Sequence, residues 1–208
     1  MLTLGAILYT DFELLDLYGP LEMFGSLGED INIVTIAESP GPVAATQGPA
    51  TLAQFSFTSA PELDLLLLPG GIGTIAELEN DALLEFLRDR SATAQITMSV
   101  CSGSALLARA GLLDGRRATS NKMFFSLATS QSDKVSWVEA ARWVVDGPMV
   151  TSSGVSAGTD MALAVIESLF GSERAEQIAA YTEYQWHRDA DSDPFVQYLN
   201  QGNPAASG

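Results

Sequence analysis

The stretch "AQITMSVCSGSALLARAG", Ala94 to Gly111, carries the sole cysteine of the chain and decides how the rest is read. "AQITMSV" reads as a buried strand that delivers Cys101. "GSALLARAG" then reads as a helix with Gly111 placed to cap its end. Small residues, Ser99 and Gly103, stand two positions before and after the thiol. A strand that turns at once into a helix is the repeating unit of α/β proteins.

The same unit recurs outward from this stretch. "LTLGAIL" near the start reads as a strand, and "YGPLEMFGSL" as a helix with Pro20 in its first turn. "INIVTIA", Ile31 to Ala37, is a β-branched strand. "VAATQGPATLAQ" has turn chemistry at Gln47-Gly48-Pro49 and reads as a short hairpin. "LDLLLLPGG" is a continuous apolar run ending at glycines, as in a strand covered on both faces. "NDALLEFLRDRSA" is an amphipathic helix capped by Asn80 or Asp81. "SWVEAARWVVDGPMVTS" reads as strand pieces turning at Asp146-Gly147. "SAGTDMALAVIESLFG" is a long helix with Ser156 as its cap and Gly171 past its end, and a further helix follows. The expectation is a three-layer α/β sandwich with a mainly parallel central sheet. A single domain spans residues 1–190. A polar tail, 191–208, follows it and ends in disorder.

Composition narrows the function. The 208 residues are 47% hydrophobic, enough for one sizeable core. Ten basic against 26 acidic residues give a formal net charge of −16. Such a surface repels phosphate backbones and anionic membranes, so neither nucleic acid nor membrane is expected as a partner. One cysteine cannot form an internal disulfide, and no Cys/His cluster points to a metal. The N-terminus lacks the basic region of a signal peptide, and no apolar run approaches the ~18 residues of a membrane span. The cytoplasm is the expected compartment.

Three stretches carry candidate chemistry. A lone buried cysteine is commonly a small hydrophobe. "Ser99-Val-Cys-Ser-Gly103", however, meets the steric demand of a nucleophile elbow, the tight strand-to-helix turn that projects its central side chain. The following helix aims its amides at the sulfur, so the expectation is a thiol shifted toward thiolate. "LLLLPGGIGTIA" leaves the amides of Gly70 and Gly71 uncovered for an anion. It also fits a dinucleotide fingerprint, but it follows a later strand and lacks the acidic partner about 20 residues on. Asp16, among Leu14, Leu15 and Leu17, is either a helix-entry residue bonded to amides or a desolvated carboxyl that carries a proton at neutral pH. Glu13 is its competitor. "DADSDP" in the tail mimics a calcium loop. Pro194 stands at the glycine position and Asn200 at the bidentate glutamate position, so it reads as a solvated turn. His187 reads as a surface or tail-packing residue.

Together "LLDLYGPLEMF", "LLLLPGG", "SVCSGSALLARAGLLDGRRATS" and "SSGVSAGTDMALAVIE" resemble the ThiJ/PfpI superfamily, from about Leu4 to about Phe170. The likeness is greatest to its isonitrile hydratase branch, where an aspartate replaces the glutamate that many relatives place beside the cysteine. The resemblance implies a flavodoxin-like, class I glutamine amidotransferase-like fold, a homodimer and no cofactor. It makes Cys101 the nucleophile, Asp16 its acid/base partner, and the amides of Gly71 and Ser102 the anion hole. Gly70, Ile72, Asn121, Gly154 and Val155 would line the pocket. The implied reaction is hydration of an isonitrile to an N-substituted formamide through a covalent thioimidate. Rival readings on the same cysteine are a glyoxalase- or deglycase-like enzyme for α-oxoaldehydes, an oxidative-stress sensor, and a ligand-binding module. After Arg-Arg-Ala-Thr the hydratases commonly show Thr-His-Trp, where this chain has Ser120-Asn121-Lys122. Other relatives place a histidine there or beside the cysteine.

Overall fold

The computed structural model describes residues 1–202. Along the chain the strands are β1 (Leu2–Ile7), β2 (Ile31–Ala37), β3 (Gly41–Ala44), β4 (Ala50–Ala53), β5 (Phe55–Ser56), β6 (Leu65–Leu68), β7 (Ile96–Ser99), β8 (Arg117–Ala118), β9 (Ser136–Trp137), β10 (Trp143–Asp146) and β11 (Met149–Ser152). The helices are α1 (Leu14–Gly25), α2 (Thr74–Glu77), α3 (Asp81–Ser91), α4 (Gly103–Arg109), α5 (Phe125–Thr129), α6 (Ala157–Phe170) and α7 (Ser172–Tyr181).

Seven strands form the main sheet in the order β10-β11-β7-β6-β1-β2-β5. All its pairs are parallel except β10–β11, which turns back through Gly147. The four leucines of β6 are fully buried, because helices cover both faces of a central parallel strand. Helices α1, α6 and α7 pack together, and α2, α3 and α4 form a second group, which gives the expected sandwich. The hairpin β3–β4 matches the sequence reading, and of the two cap candidates for α3 it is Asn80 that accepts from the Leu83 amide, at 3.2 Å.

Three local expectations change. Helix α1 starts at Leu14, so Asp16 lies in its first turn and Pro20 sits inside the helix. A helical proline donates no hydrogen bond, so the Asp16 carbonyl loses its partner four residues on. Gly158 of α6 leaves room for the ring, since a Cβ there would meet Pro20 Cγ at 3.3 Å. Ser156 precedes α6 as expected, but its side chain caps no amide among the described residues. The "DADSDP" turn is not solvated at its centre. Asp193 is buried against Lys122 Nζ at 3.8 Å and Arg142 Nη1 at 3.9 Å. The disorder expected at the chain end falls on residues 203–208, outside the described residues.

Candidate active site

Four loops meet at the carboxyl ends of adjacent strands, where open α/β sheets bind ligands. They follow β1, β6, β7 and β11 and bring Asp16, Gly70–Gly71, Cys101 and Gly154 together. A cleft of about 760 Å³ opens there. Its walls include Cys101, Ser102, Gly71, Ile72, Asn121 and Val155, with Ile75, Phe124 and Leu127 adding apolar surface and Glu13 at one side. Gly70, Gly154 and Asp16 stand behind this lining.

Cys101 occupies the left-handed region, with φ 58°. For a residue with a Cβ this costs on the order of 1–3 kcal/mol and persists only where neighbours enforce it. Here they do. The Cys101 amide donates to the Ser152 and Ser153 carbonyls at 3.2 and 3.3 Å. Its carbonyl accepts from Ser104 Oγ at 3.2 Å and Ser120 Oγ at 3.1 Å. Gly103 lets α4 leave at once, because a Cβ there would lie 2.6 Å from the Leu68 carbonyl oxygen. The elbow read from the sequence is therefore present, with β7 ending at Ser99 and α4 beginning at Gly103.

Asp16 is fully buried and accepts from the Gly70 amide at Oδ2, 2.8 Å away. Its Oδ1 makes no hydrogen bond among the described residues. Burial pushes this carboxyl well above its ordinary value, and Glu13 adds to the effect; the Gly70 amide and the neighbouring Cys101 thiol pull the other way. Asp16 thus combines full desolvation with a bond to one backbone amide, from the loop after β6. Glu13 precedes α1, and its Oε1 accepts from Gln47 Nε2 at 2.6 Å.

The electrostatics of the thiol correct the sequence reading. Burial pushes Cys101 well above an ordinary thiol, and an Asp16 carboxylate would push it further. The Ser102 amide, the Asn121 carboxamide and the Ser102 hydroxyl oppose this, in that order. The start of α4 acts on the sulfur through the Ser102 amide, and burial outweighs it.

The glycines after β6 also act differently from the expectation. Gly71, with φ 135°, has no room for a side chain, because a Cβ would lie 2.6 Å from the Glu13 amide nitrogen. Its own amide is not free: it donates to Ser102 Oγ at 3.1 Å. That hydroxyl ends a buried chain, with Thr74 Oγ1 at 2.9 Å and Tyr9 beyond it at 3.0 Å. Tyr9 in turn donates to the Pro69 carbonyl at 2.7 Å. No local pattern in the sequence marks Tyr9 or Thr74. Asn121 lines the cleft where it was expected, and its Nδ2 also donates to Cys101 Sγ at 3.1 Å. His187 is exposed and bonds the Ser192 carbonyl at 3.2 Å, as a tail-packing residue would.

The signature of the DJ-1/PfpI family matches residues 6–168. The chain belongs to the DJ-1/PfpI family. An isonitrile hydratase of Pseudomonas putida is 32% identical to this family member over 88% of the chain and 78% of the relative. The HTH-type transcriptional regulator CdhR of Pseudomonas aeruginosa is 30% identical over 67% of the chain, which spans 41% of that longer protein. The crystal structure of a ThiJ/PfpI family protein from Pseudomonas syringae superposes with a TM-score of 0.80 at 35% identity, covering 93% of the chain and 76% of that structure. The ThiJ/PfpI resemblance read from the sequence is thereby established. So is the fold.

Proposed function

We propose that this DJ-1/PfpI protein is a cofactor-independent hydratase that converts isonitriles to N-substituted formamides. The observation that carries the reading is an elbow cysteine beside a buried carboxyl whose Oδ1 makes no hydrogen bond among the described residues. The likeness to a named isonitrile hydratase over most of the chain supports it.

An isonitrile carbon must gain a nucleophile and a proton at the same atom. In the proposed first half, the Cys101 proton passes to Asp16 Oδ1 and the S–C bond forms at the terminal carbon. Asp16 then returns the proton to that carbon, leaving a thioimidate. In the second half, Asp16 takes a proton from water as its oxygen adds to the carbon, and delivers a proton to nitrogen. Collapse breaks the C–S bond, and the released hydroxyl proton restores the starting pair. The sum is one isonitrile and one water to one formamide. A carboxyl raised by burial suits both halves, because it is a stronger base than an ordinary carboxylate and can still return the proton. The apolar walls at Ile72, Ile75, Phe124 and Leu127 suit an apolar substituent on nitrogen.

The test is a panel of isonitriles, nitriles and methylglyoxal against wild type and Cys101→Ala. Formamide from isonitriles, abolished in Cys101→Ala, is the expected result. Efficient methylglyoxal consumption with isonitriles untouched would replace the hydratase with the glyoxalase-like reading. Turnover of neither would leave a sensor or binding protein.

A further inference from the structure

The backbone around Cys101 is short of donors for a charged sulfur. The Cys101 amide is committed to the Ser152 and Ser153 carbonyls, and the Gly71 amide to Ser102 Oγ. Of the three, the Ser102 amide is the one that bonds the thiol. We propose that the Asn121 carboxamide completes the site as a catalytic residue, holding the negative charge on Cys101 Sγ as the thiolate forms and again as it leaves. This deepens the reading above and rests on Cys101 acting as a nucleophile.

Four observations carry the assignment. Asn121 Nδ2 lies 3.1 Å from Cys101 Sγ. The amide cannot turn around without loss, because its Oδ1 already accepts from the Phe124 amide at 3.0 Å; the NH₂ end therefore faces the sulfur. Gly154 makes room for it, since a Cβ there would run into Nδ2 and lie 3.2 Å from Sγ. The loop is also anchored from both sides. Buried Lys122 donates to the Ala141 carbonyl at 2.6 Å and to Thr119 Oγ1 at 2.8 Å. From the tail, the Asn200 amide donates to the Lys122 carbonyl at 2.8 Å and the Gly202 amide to the Met123 carbonyl at 3.0 Å. A neutral donor fixed in advance stabilises an anion without reorganising when charge appears. It also takes no proton from Asp16, as a histidine would.

Two variants test this. Asn121→Ala removes the donor. Asn121→Asp keeps the side-chain volume and the acceptor for the Phe124 amide, so the loop keeps its anchor, but it sets a carboxylate beside the sulfur. The readouts are the pH midpoint of Cys101 alkylation by iodoacetamide, and kcat and KM for benzyl isonitrile. The alkylation midpoint is expected to rise by about one unit in Asn121→Ala and by more in Asn121→Asp. The kcat is expected to fall about tenfold or more, with KM within about threefold, because a bond to a charged group is lost after binding. A folded Asn121→Asp with an unmoved midpoint would overturn the proposal, as would kcat unchanged in either variant. Alkylation needs no isonitrile. A shifted midpoint in a protein that turns over no isonitrile would therefore sink the hydratase reading alone and keep Asn121 as the thiolate donor.

Discussion

At the scale of single residues, Asp16 carries the sharpest test. Its carboxyl is raised well above the ordinary 3.8, chiefly by burial. The folded state therefore holds this proton more tightly than the unfolded chain does. The resulting stabilisation is complete below about pH 3.8 and is lost as pH rises toward the folded value. Asp16→Asn, uncharged at every pH, is expected to unfold at a higher temperature than wild type at pH 8. Near pH 3.5 the advantage disappears, which calorimetry at the two pH values checks. The same variant is expected to lose isonitrile turnover by about 100-fold or more, since an amide neither gives nor takes the proton. A gain in stability with loss of activity is the expected mark of a carboxyl kept buried for chemistry. The meeting of Cys101 and Asp16 at the strand ends was legible in the sequence. The direction of the thiol shift was not, because a helix dipole can be read from a pattern while the burial of Cys101 depends on neighbours from β11 and the Asn121 loop.

At the scale of elements, the elbow depends on contacts that one methyl group would break. A Cβ at Gly103 would lie 2.6 Å from the Leu68 carbonyl oxygen and 2.9 Å from that of Pro69. Both are backbone atoms of β6 and its loop and have little freedom to retreat. Gly103→Ala is expected to destabilise the protein by about 1–3 kcal/mol, despite the better helix propensity of alanine. It should also slow Cys101 alkylation, since α4 can shift only by moving the elbow. Thermal melts and an iodoacetamide time course check both. Helix α1 teaches a related lesson. Pro20 looked like a first-turn residue by its preference alone. The tertiary packing of α1 on α6, where Gly158 faces the proline ring, lets the helix begin at Leu14, four residues before Tyr18, and carries Asp16 beneath the cleft.

At the scale of the whole molecule, the tail is a structural strap. Asp193 sits between Lys122 and Arg142, and Arg142 also pairs with Asp160 through Nη2 at 2.6 Å. Removing one member of a buried charge group leaves the others uncompensated. Asp193→Ala is expected to cost about 3 kcal/mol at pH 7, or a melting temperature lower by roughly 6–12 °C. Burial lowers Lys122 to about 8, so its charged form is the costly one below that pH. The loss in Asp193→Ala should therefore shrink as pH rises past about 8 and Lys122 sheds its proton. A homodimer is the proposed assembly. Leu15 and Tyr18 of α1 and Leu52 of β4 stay exposed, and Tyr18 hydroxyl and Thr51 Oγ1, 2.7 Å apart, tie the two elements together. Light scattering at micromolar concentration is expected to give twice the chain mass, and Leu52→Asp to shift it toward the monomer.

The alternation of strands and helices, the buried Leu65–Leu68 strand, a polar cap at Asn80 or Asp81 and the Cys101 elbow were determined by the sequence alone. Each rests on hydrophobic period, turn chemistry or steric size within a dozen residues. Tertiary structure decided the rest. It turned the Gly71 amide onto Ser102, linked Tyr9 and Thr74 behind the site, buried Asp193 and set Asn121 against the sulfur. Those outcomes depend on which atoms from distant segments compete for the same donor, space or charge, and that competition exists only once the chain has folded.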